Sequence, residues 1–278
     1  MIEIGKYNYL KVIDEVEFGV YLDDGEGNNI LLPSKYVPED LKMFDYINVF
    51  VYTDSEDRPI ATTLKPNGIV GDFACMKVVD INGYGAFLDW GLEKDLCVPF
   101  GLQEKDLQYG DNCCVYIKSD EISNRVIGIT KLKHYLNKDL SDLSLGQEVS
   151  AMVCDFHDLG IKFVANNQYD AMAFNGDFFE DLKIGDIRIG YITDIRDDGK
   201  ITIRIRKTGL NAVNEVKEKI LEELYKNNGK LYVHDKSSPD EIKYKFNVSK
   251  KIFKQAIGHL YKEKKIEILE NAIKLISK

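Results

Sequence analysis

Aromatic residues recur at matched spacing in this chain. Phe18 and Tyr21 stand three apart around Gly19, and Tyr84 and Phe87 stand three apart around Gly85. Rings set out this way can stack on nucleobases, at roughly 1–3 kcal/mol per base; the other use of such rings is ordinary packing into a core. Strict strand alternation puts positions three apart on opposite faces, so a bend or bulge at the intervening glycine is expected to bring both rings to one side. Cations accompany the rings. Arg58, Arg125 and Lys200 share one recurrent position, and Lys162, Arg204 and Arg206 replace the aromatics further along, with Arg204 and Arg206 on one strand face in reach of phosphate. Basic residues on strands also serve as solvated edges that deter aggregation.

Catalytic sets are missing from the sequence. It contains no H-E-x-x-H, G-x-x-x-x-G-K-[ST], G-x-S-x-G or G-x-G-x-x-G. The histidines, at 134, 157, 234 and 259, lie far apart and none has a second ligand three or four residues on. The expectation is a protein that is not an enzyme and takes no metal or cofactor.

A threefold repeat positions these residues. The segments IGKYNYLKVIDEVEFGVYLD, VGDFACMKVVDINGYGAFLD and LGQEVSAMVCDFHDLGIKFV align, each followed by ILLPSKYV, LCVPFGLQ or AMAFNGDF and then by MFDYINVFVYT, YGDNCCVYIKS or IGDIRIGYITD. Asp14, Asp80 and Asp155 fall at one repeat position, where a turn carboxylate is expected to hold backbone amides. Gly19, Gly85 and Gly160 fall at another. Each copy reads as short alternating runs bounded by Gly, Asp and Asn, the pattern of strands. Five runs in about 65 residues are too few for an immunoglobulin-like sandwich and suit a five-stranded, partly open OB-fold barrel. A hairpin array is the competing architecture.

The tail differs. Residues 211–227 read as an amphipathic helix and Leu231–Val233 as a short strand. Ser238 heads a capping box with Pro239 at the first helical position, and Ser249 caps a further helix bearing Lys250, Lys251 and Lys254 on its polar side. Ile266–Leu269 and Ala272–Ile276 finish as a hairpin. This order is that of a winged helix, whose third helix commonly meets nucleic acid. Lysines there suit phosphate rather than base readout, and a solvated lysine face is the plain alternative.

The run K-V-x-D-x-x-x-F/Y-G-x-Y/F-L-D, followed by a G-D strand, resembles the S1 RNA-binding domain. The stretch from Gly83 to Leu96 resembles the second repeat of the conserved virulence factor B family. That resemblance implies a mostly β fold with a C-terminal α+β module: three tandem S1-like OB barrels (1–66, 67–138, 139–209) and a winged-helix domain (210–278). It implies RNA binding, a part in transcript handling and virulence-factor expression, and an RNA-facing role for Phe18, Tyr21, Tyr84 and Phe87. The histidine usual on the third S1 strand is replaced by Leu32, Val98 and Ala173, and repeat three has Leu159 and Lys162 in place of both aromatics.

Composition sets the bounds. The 278 residues carry 37 basic and 46 acidic side chains. Residues 1–70 hold 6 Lys/Arg against 13 Asp/Glu, whereas residues 211–278 hold 15 against 10. A basic module on an acidic body is expected to meet an anionic partner through the tail, single-stranded RNA or DNA, while the acidic first repeat could face a protein or act as a spacer. No apolar run reaches membrane-spanning length and no signal-peptide pattern opens the chain. Five cysteines without C-x-x-C spacing argue against disulfides and zinc and for the cytoplasm. Two other readings stay open: a duplex-DNA regulator with the barrels as scaffold, and a protein-assembly module.

Overall fold

The computed structural model describes residues 1–120, 123, 125–178, 181–205 and 210–276. Alternating apolar residues roll the first three repeats into closed five-stranded barrels. The first contains β1 (Tyr7–Val16), β2 (Gly19–Asp23), β3 (Asn29–Pro33), β4 (Tyr46–Thr53) and β5 (Pro59–Thr62). The second contains β6 (Phe73–Asn82), β7 (Gly85–Leu88), β8 (Leu96–Pro99), β9 (Asn112–Ser119) and β10 (Val126–Ile129). The third contains β11 (Glu148–His157), β12 (Gly160–Ala165), β13 (Tyr169–Phe174), β14 (Ile187–Ile195) and β15 (Lys200–Arg204). In each, the third strand runs parallel to the fifth and the fourth closes on the first, which is OB topology. Leu10, Val12, Leu22, Leu32 and Val51 fill the first barrel, and Val153, Phe163, Ile201 and Ile203 fill the third.

Two expectations about the repeat positions need correction. The bulge lies in the first strand of each barrel, not at the glycine: pairing slips between Val12 and Asp14, Val78 and Asp80, and Val153 and Asp155. The recurrent aspartates therefore sit inside a strand just past the bulge, not in a turn. Asp14 and Asp155 each accept the next residue's N–H, at 2.9 and 3.1 Å. The glycines open β2, β7 and β12 for a different reason. A Cβ there would lie 2.2, 2.3 or 2.1 Å from the carbonyl oxygen of Leu32, Val98 or Ala173, so the third strand passes too close for any side chain.

A tight turn precedes the fourth strand of each barrel, over Lys42–Asp45, Gln108–Asp111 and Lys183–Asp186. The aspartate's N–H donates to the first residue's carbonyl, and its carboxylate accepts the first residue's N–H. The third residue is left-handed: Gly110 at φ 88°, Gly185 at 91° and, in the first barrel, Phe44 at 71°. A side chain in that conformation costs about 1–2 kcal/mol, which glycine avoids. Phe44 is thus the strained member of the three.

The tail folds as α1 (Leu210–Lys226), β16 (Lys230–Leu231), α2 (Pro239–Phe246), α3 (Lys250–Lys262), β17 (Ile266–Ile268) and β18 (Ile273–Leu275). Ser238 Oγ accepts the Glu241 N–H at 3.1 Å and Ser249 Oγ that of Ile252 at 3.5 Å, so both serines cap as the sequence suggests. Ile220, Leu224, Ile242, Phe253, Ile257 and Ile273 form a core of its own. Strands β16, β18 and β17 make the wing sheet.

The barrels pack directly on each other. At the first junction Trp90 meets Phe50 edge-on at 5.5 Å and Tyr52 at 6.3 Å, and its indole N–H donates to Gly68 O at 2.8 Å. At the second, Phe73, Cys114, Leu132 and Leu136 join Cys154 and Val164. Asn167 accepts the Phe73 N–H at 2.7 Å and donates to Asp72 at 2.8 Å. All five cysteines are free thiols. Among the described residues no helix is long and apolar enough to cross a membrane.

Candidate nucleic-acid interface

The hairpin between first and second strands presents the expected aromatics. Phe18 and Tyr84 occupy the tips just before Gly19 and Gly85, and they are 56% and 80% exposed. Tyr21 and Phe87 lie within β2 and β7, half-buried, on the outer side opposite the inward Val20/Leu22 and Ala86/Leu88. In the third barrel Leu159 holds the tip and Lys162 the outer strand position, opposite Asp155 and Met172. Leu32, Val98 and Ala173, where the S1 pattern carries histidine, are fully buried core residues here.

The recurrent cations have carboxylate partners. Arg58 binds Asp54 at 2.7 Å and Glu56 at 2.8 Å, within the β4–β5 hairpin. Arg125 reaches across the first junction: its Nε donates to Asp57 Oδ1 at 2.9 Å, and a second guanidinium nitrogen contacts Oδ2. Lys94 joins the same carboxylate at 3.3 Å and donates to Asp54 O at 2.7 Å. The Arg125 guanidinium, and then the Lys94 ammonium, hold the Asp57 carboxyl below the usual aspartate range. Lys35 and Glu93 pair across the same junction. Lys200 lies 4.0 Å from Asp198, and Arg204 donates to Asp177 at 3.0 Å. Arg206 lies outside the described residues. Arg58, Arg125 and Lys200 share one place in the fold: the backbone carbonyl of each accepts the N–H of Asp54, Asp120 or Arg196 and closes the hairpin, a bond that does not depend on the side chain.

In the winged helix, Lys251 and Lys254 project from α3 into solvent, while Lys250 Nζ donates to Lys236 O at 3.4 Å. The opposite side of α3, Phe253, Ala256, Ile257 and Leu260, is buried.

A further aromatic cluster escaped the sequence reading. On the outer face of β1 and β4, Tyr9 (69% exposed) stacks on Tyr46 with ring centroids 5.3 Å apart. Tyr7 lies edge-on to Phe50 at 5.6 Å, and Lys11 Nζ sits 5.3 Å from the centre of the exposed Phe44 ring. The signal was present in the repeat alignment, where Phe44 stands against Gly110 and Gly185 in the strands' lead-in turns.

Barrels of this topology followed by a helix-helix-wing module define a tandem S1/winged-helix protein. The S1 domain model matches residues 4–64 and the CvfB-like winged helix domain model matches residues 218–275. The chain is 28% identical to the uncharacterized protein YitL of Bacillus subtilis over 94% of its length and 90% of that protein's. It is 26% identical to conserved virulence factor B of Staphylococcus epidermidis, covering 99% of this chain and 95% of the relative. A crystal structure of a multidomain protein with nucleic acid binding domains from Streptococcus pneumoniae aligns over 98% of both chains, with 22% identity and a TM-score of 0.47. The S1 and CvfB-like winged-helix matches, with relatives named conserved virulence factor B aligned over nearly the full chain, support the conserved virulence factor B family. Both matched domain types are of nucleic-acid-binding rather than catalytic kinds.

Proposed function

We propose that this protein binds single-stranded RNA with little sequence preference, in the cytoplasm, and acts on transcript handling as a regulator of gene expression, virulence factors included. The observation that carries this reading is the repetition of one device in two barrels: an exposed ring at the hairpin tip, Phe18 or Tyr84, followed by an outward ring on the next strand, Tyr21 or Phe87. Bases stack on such rings whatever their sequence. Lys251 and Lys254 of α3, with Lys250 beside them, supply phosphate contacts, as does Lys162 in the third barrel. Arg58, Arg125, Lys200 and Arg204 reach phosphate by exchanging their carboxylate partners, and Arg206, two residues on in sequence, adds a further cation.

Fluorescence anisotropy tests the proposal, using labelled single-stranded RNA and duplex DNA of equal length at two salt concentrations. RNA-preferring affinity that weakens with salt and falls in a Phe18→Ala/Tyr21→Ala/Tyr84→Ala/Phe87→Ala variant supports it. Tighter binding to the duplex would instead make the winged helix a DNA reader. Absence of binding at low salt refutes both.

A further inference from the structure

The β1–β4 outer face of the first barrel belongs to neither the hairpin tips nor α3. Its rings are contiguous: Tyr9 stacks on Tyr46, Tyr46 lies opposite Lys11 in register, and Lys11 covers Phe44. We infer that this face is a second single-stranded RNA platform, in which Tyr7, Tyr9, Phe44 and Tyr46 stack on bases and Lys11 and Lys42 meet phosphate. The inference rests on the RNA reading above and adds to it a site on a different side of the barrel.

Three observations converge. The first is Phe44. Its turn has the same hydrogen bonds as those of Gly110 and Gly185, so the fold there is met best by glycine, and a large exposed ring in left-handed conformation gains nothing for the barrel's core. Retained strain of this kind points to a ligand.

The second is a comparison with the same face one repeat on. In the second barrel the matching positions are Phe73, Cys75, Cys114 and Tyr116, an apolar set that packs against the third barrel. In the first barrel they are Tyr7, Tyr9, Asn48 and Phe50; Phe50 is buried against Trp90 at the first junction, and the others stay open with Lys11 and Tyr46 beside them. Hydroxyls, an amide and an ammonium suit a surface that stays wet and meets a polar partner with flat apolar faces, as a nucleobase has.

The third is charge. The first barrel is acidic, and Asp23 stands opposite Lys11 in the β1–β2 register, yet several of its acids are neutralised: Asp54 and Glu56 by Arg58, Asp57 by Lys94 and Arg125. Of its cations, Lys6, Lys35 and Arg58 are in ion pairs. Lys11, Lys42 and Lys65 have none among the described residues, and the first two border the platform. The one carboxylate in the adjoining turn, Asp45, is occupied by the Lys42 N–H at 3.0 Å. Cations left over beside stacked rings are what a polynucleotide needs.

The test uses the full chain and a fluorescein-labelled dodecauridylate. Phe44→Gly restores the residue that the other two turns carry, so its melting temperature is expected to equal or exceed that of the parent, while affinity falls on the order of tenfold, as for one lost stacked base. Tyr9→Ala/Tyr46→Ala is expected to weaken binding at least as much. Ultraviolet cross-linking followed by peptide mass spectrometry is expected to place uridine on peptides spanning residues 7–11 and 43–46. Parent-level affinity in both variants, with no cross-link there, overturns the platform even if the hairpin-tip variant loses binding; that is also the result expected if a protein occupies this face. No binding by the parent chain at low salt overturns the platform together with the RNA reading on which it rests.

Discussion

Arg125 of the second barrel and Asp57 of the first meet as a fork on a fork, with Nε and a terminal guanidinium nitrogen each on one carboxylate oxygen. Two parallel hydrogen bonds fix an angle as well as a distance. Lys94 approaches the same carboxylate, so one β4–β5 hairpin tip in the first barrel is held by two cations of the second. The junction's aromatic side, Phe50, Tyr52 and Trp90, is dry enough that burial pushes the Tyr52 phenol up to about 12.

The pair gives the first junction a defined pH response. Asp57 is held below its ordinary value of 3.8, chiefly by Arg125. A depressed carboxylate contributes stability that is fully present above its unfolded pKa and is lost as pH falls through the folded value. The urea midpoint of an Asp57→Asn variant, followed by the fluorescence of Trp90, the sole tryptophan, is expected to lie below the parent's at pH 6. The gap should close as the pH drops below 3.8. A gap of constant size across that range would show that the carboxylate does not hold the junction.

Gly85→Ala tests the close approach of β8 to β7. A methyl group 2.3 Å from the Val98 carbonyl oxygen forces the strands apart. The expected cost is about 1–3 kcal/mol, the usual range for overpacking. Calorimetry should then show the melting temperature lowered by several degrees, since about 1 kcal/mol moves a domain of this size by roughly 4–8 °C. An unchanged transition would mean that β8 can shift to make room.

The barrels, their order and the winged helix were legible because period-two alternation, recurrent glycines and serine caps are local signals that the tertiary structure did not override. The bulge was not, since the sequence marks its position only by an aspartate, and Asp14 reads equally well as a turn residue. The partners of Arg58 and Arg125 were hidden for another reason. Asp57 lies 68 residues from Arg125, and nothing local announces a contact across a domain junction. Phe44 was visible as a mismatch between repeats, but a mismatch acquires meaning only once the turn's left-handed backbone is known.

The lysines of α3 should show themselves through salt. If Lys250, Lys251 and Lys254 meet phosphates, replacing all three by alanine lowers the slope of log affinity against log salt by about 0.7 for each single-strand phosphate lost. Helical circular dichroism should stay unchanged, because Lys251 and Lys254 face solvent and the buried face of α3 is untouched. A parent-like slope would remove α3 from the interface.

Thiol labelling reads the second junction. Burial pushes Cys113 up to about 12, and Cys114 is pushed up by hydrogen bonds with Cys154 and Cys75 and by burial. The Cys114 hydrogen bond draws the half-buried Cys75 thiol down. Brief iodoacetamide treatment of the native protein at pH 8 is therefore expected to modify Cys75 well before Cys113 or Cys114. Equal rates at Cys75 and Cys114 would mean that the second and third barrels part readily in solution.

The segment joining the first two barrels is no tether. Asn67 donates to Trp90 O, Val70 to Gly5 O and Gly71 to Ile117 O, at 2.7–2.9 Å, so the connection is stitched to both bodies. Modules on loose strings gain from one another through effective concentration, which falls as the string lengthens. Modules fixed edge to edge have met that ordering cost during folding. Any ligand long enough to touch both barrels meets two footholds at a set stride, and adjustment between them falls to the ligand's own backbone.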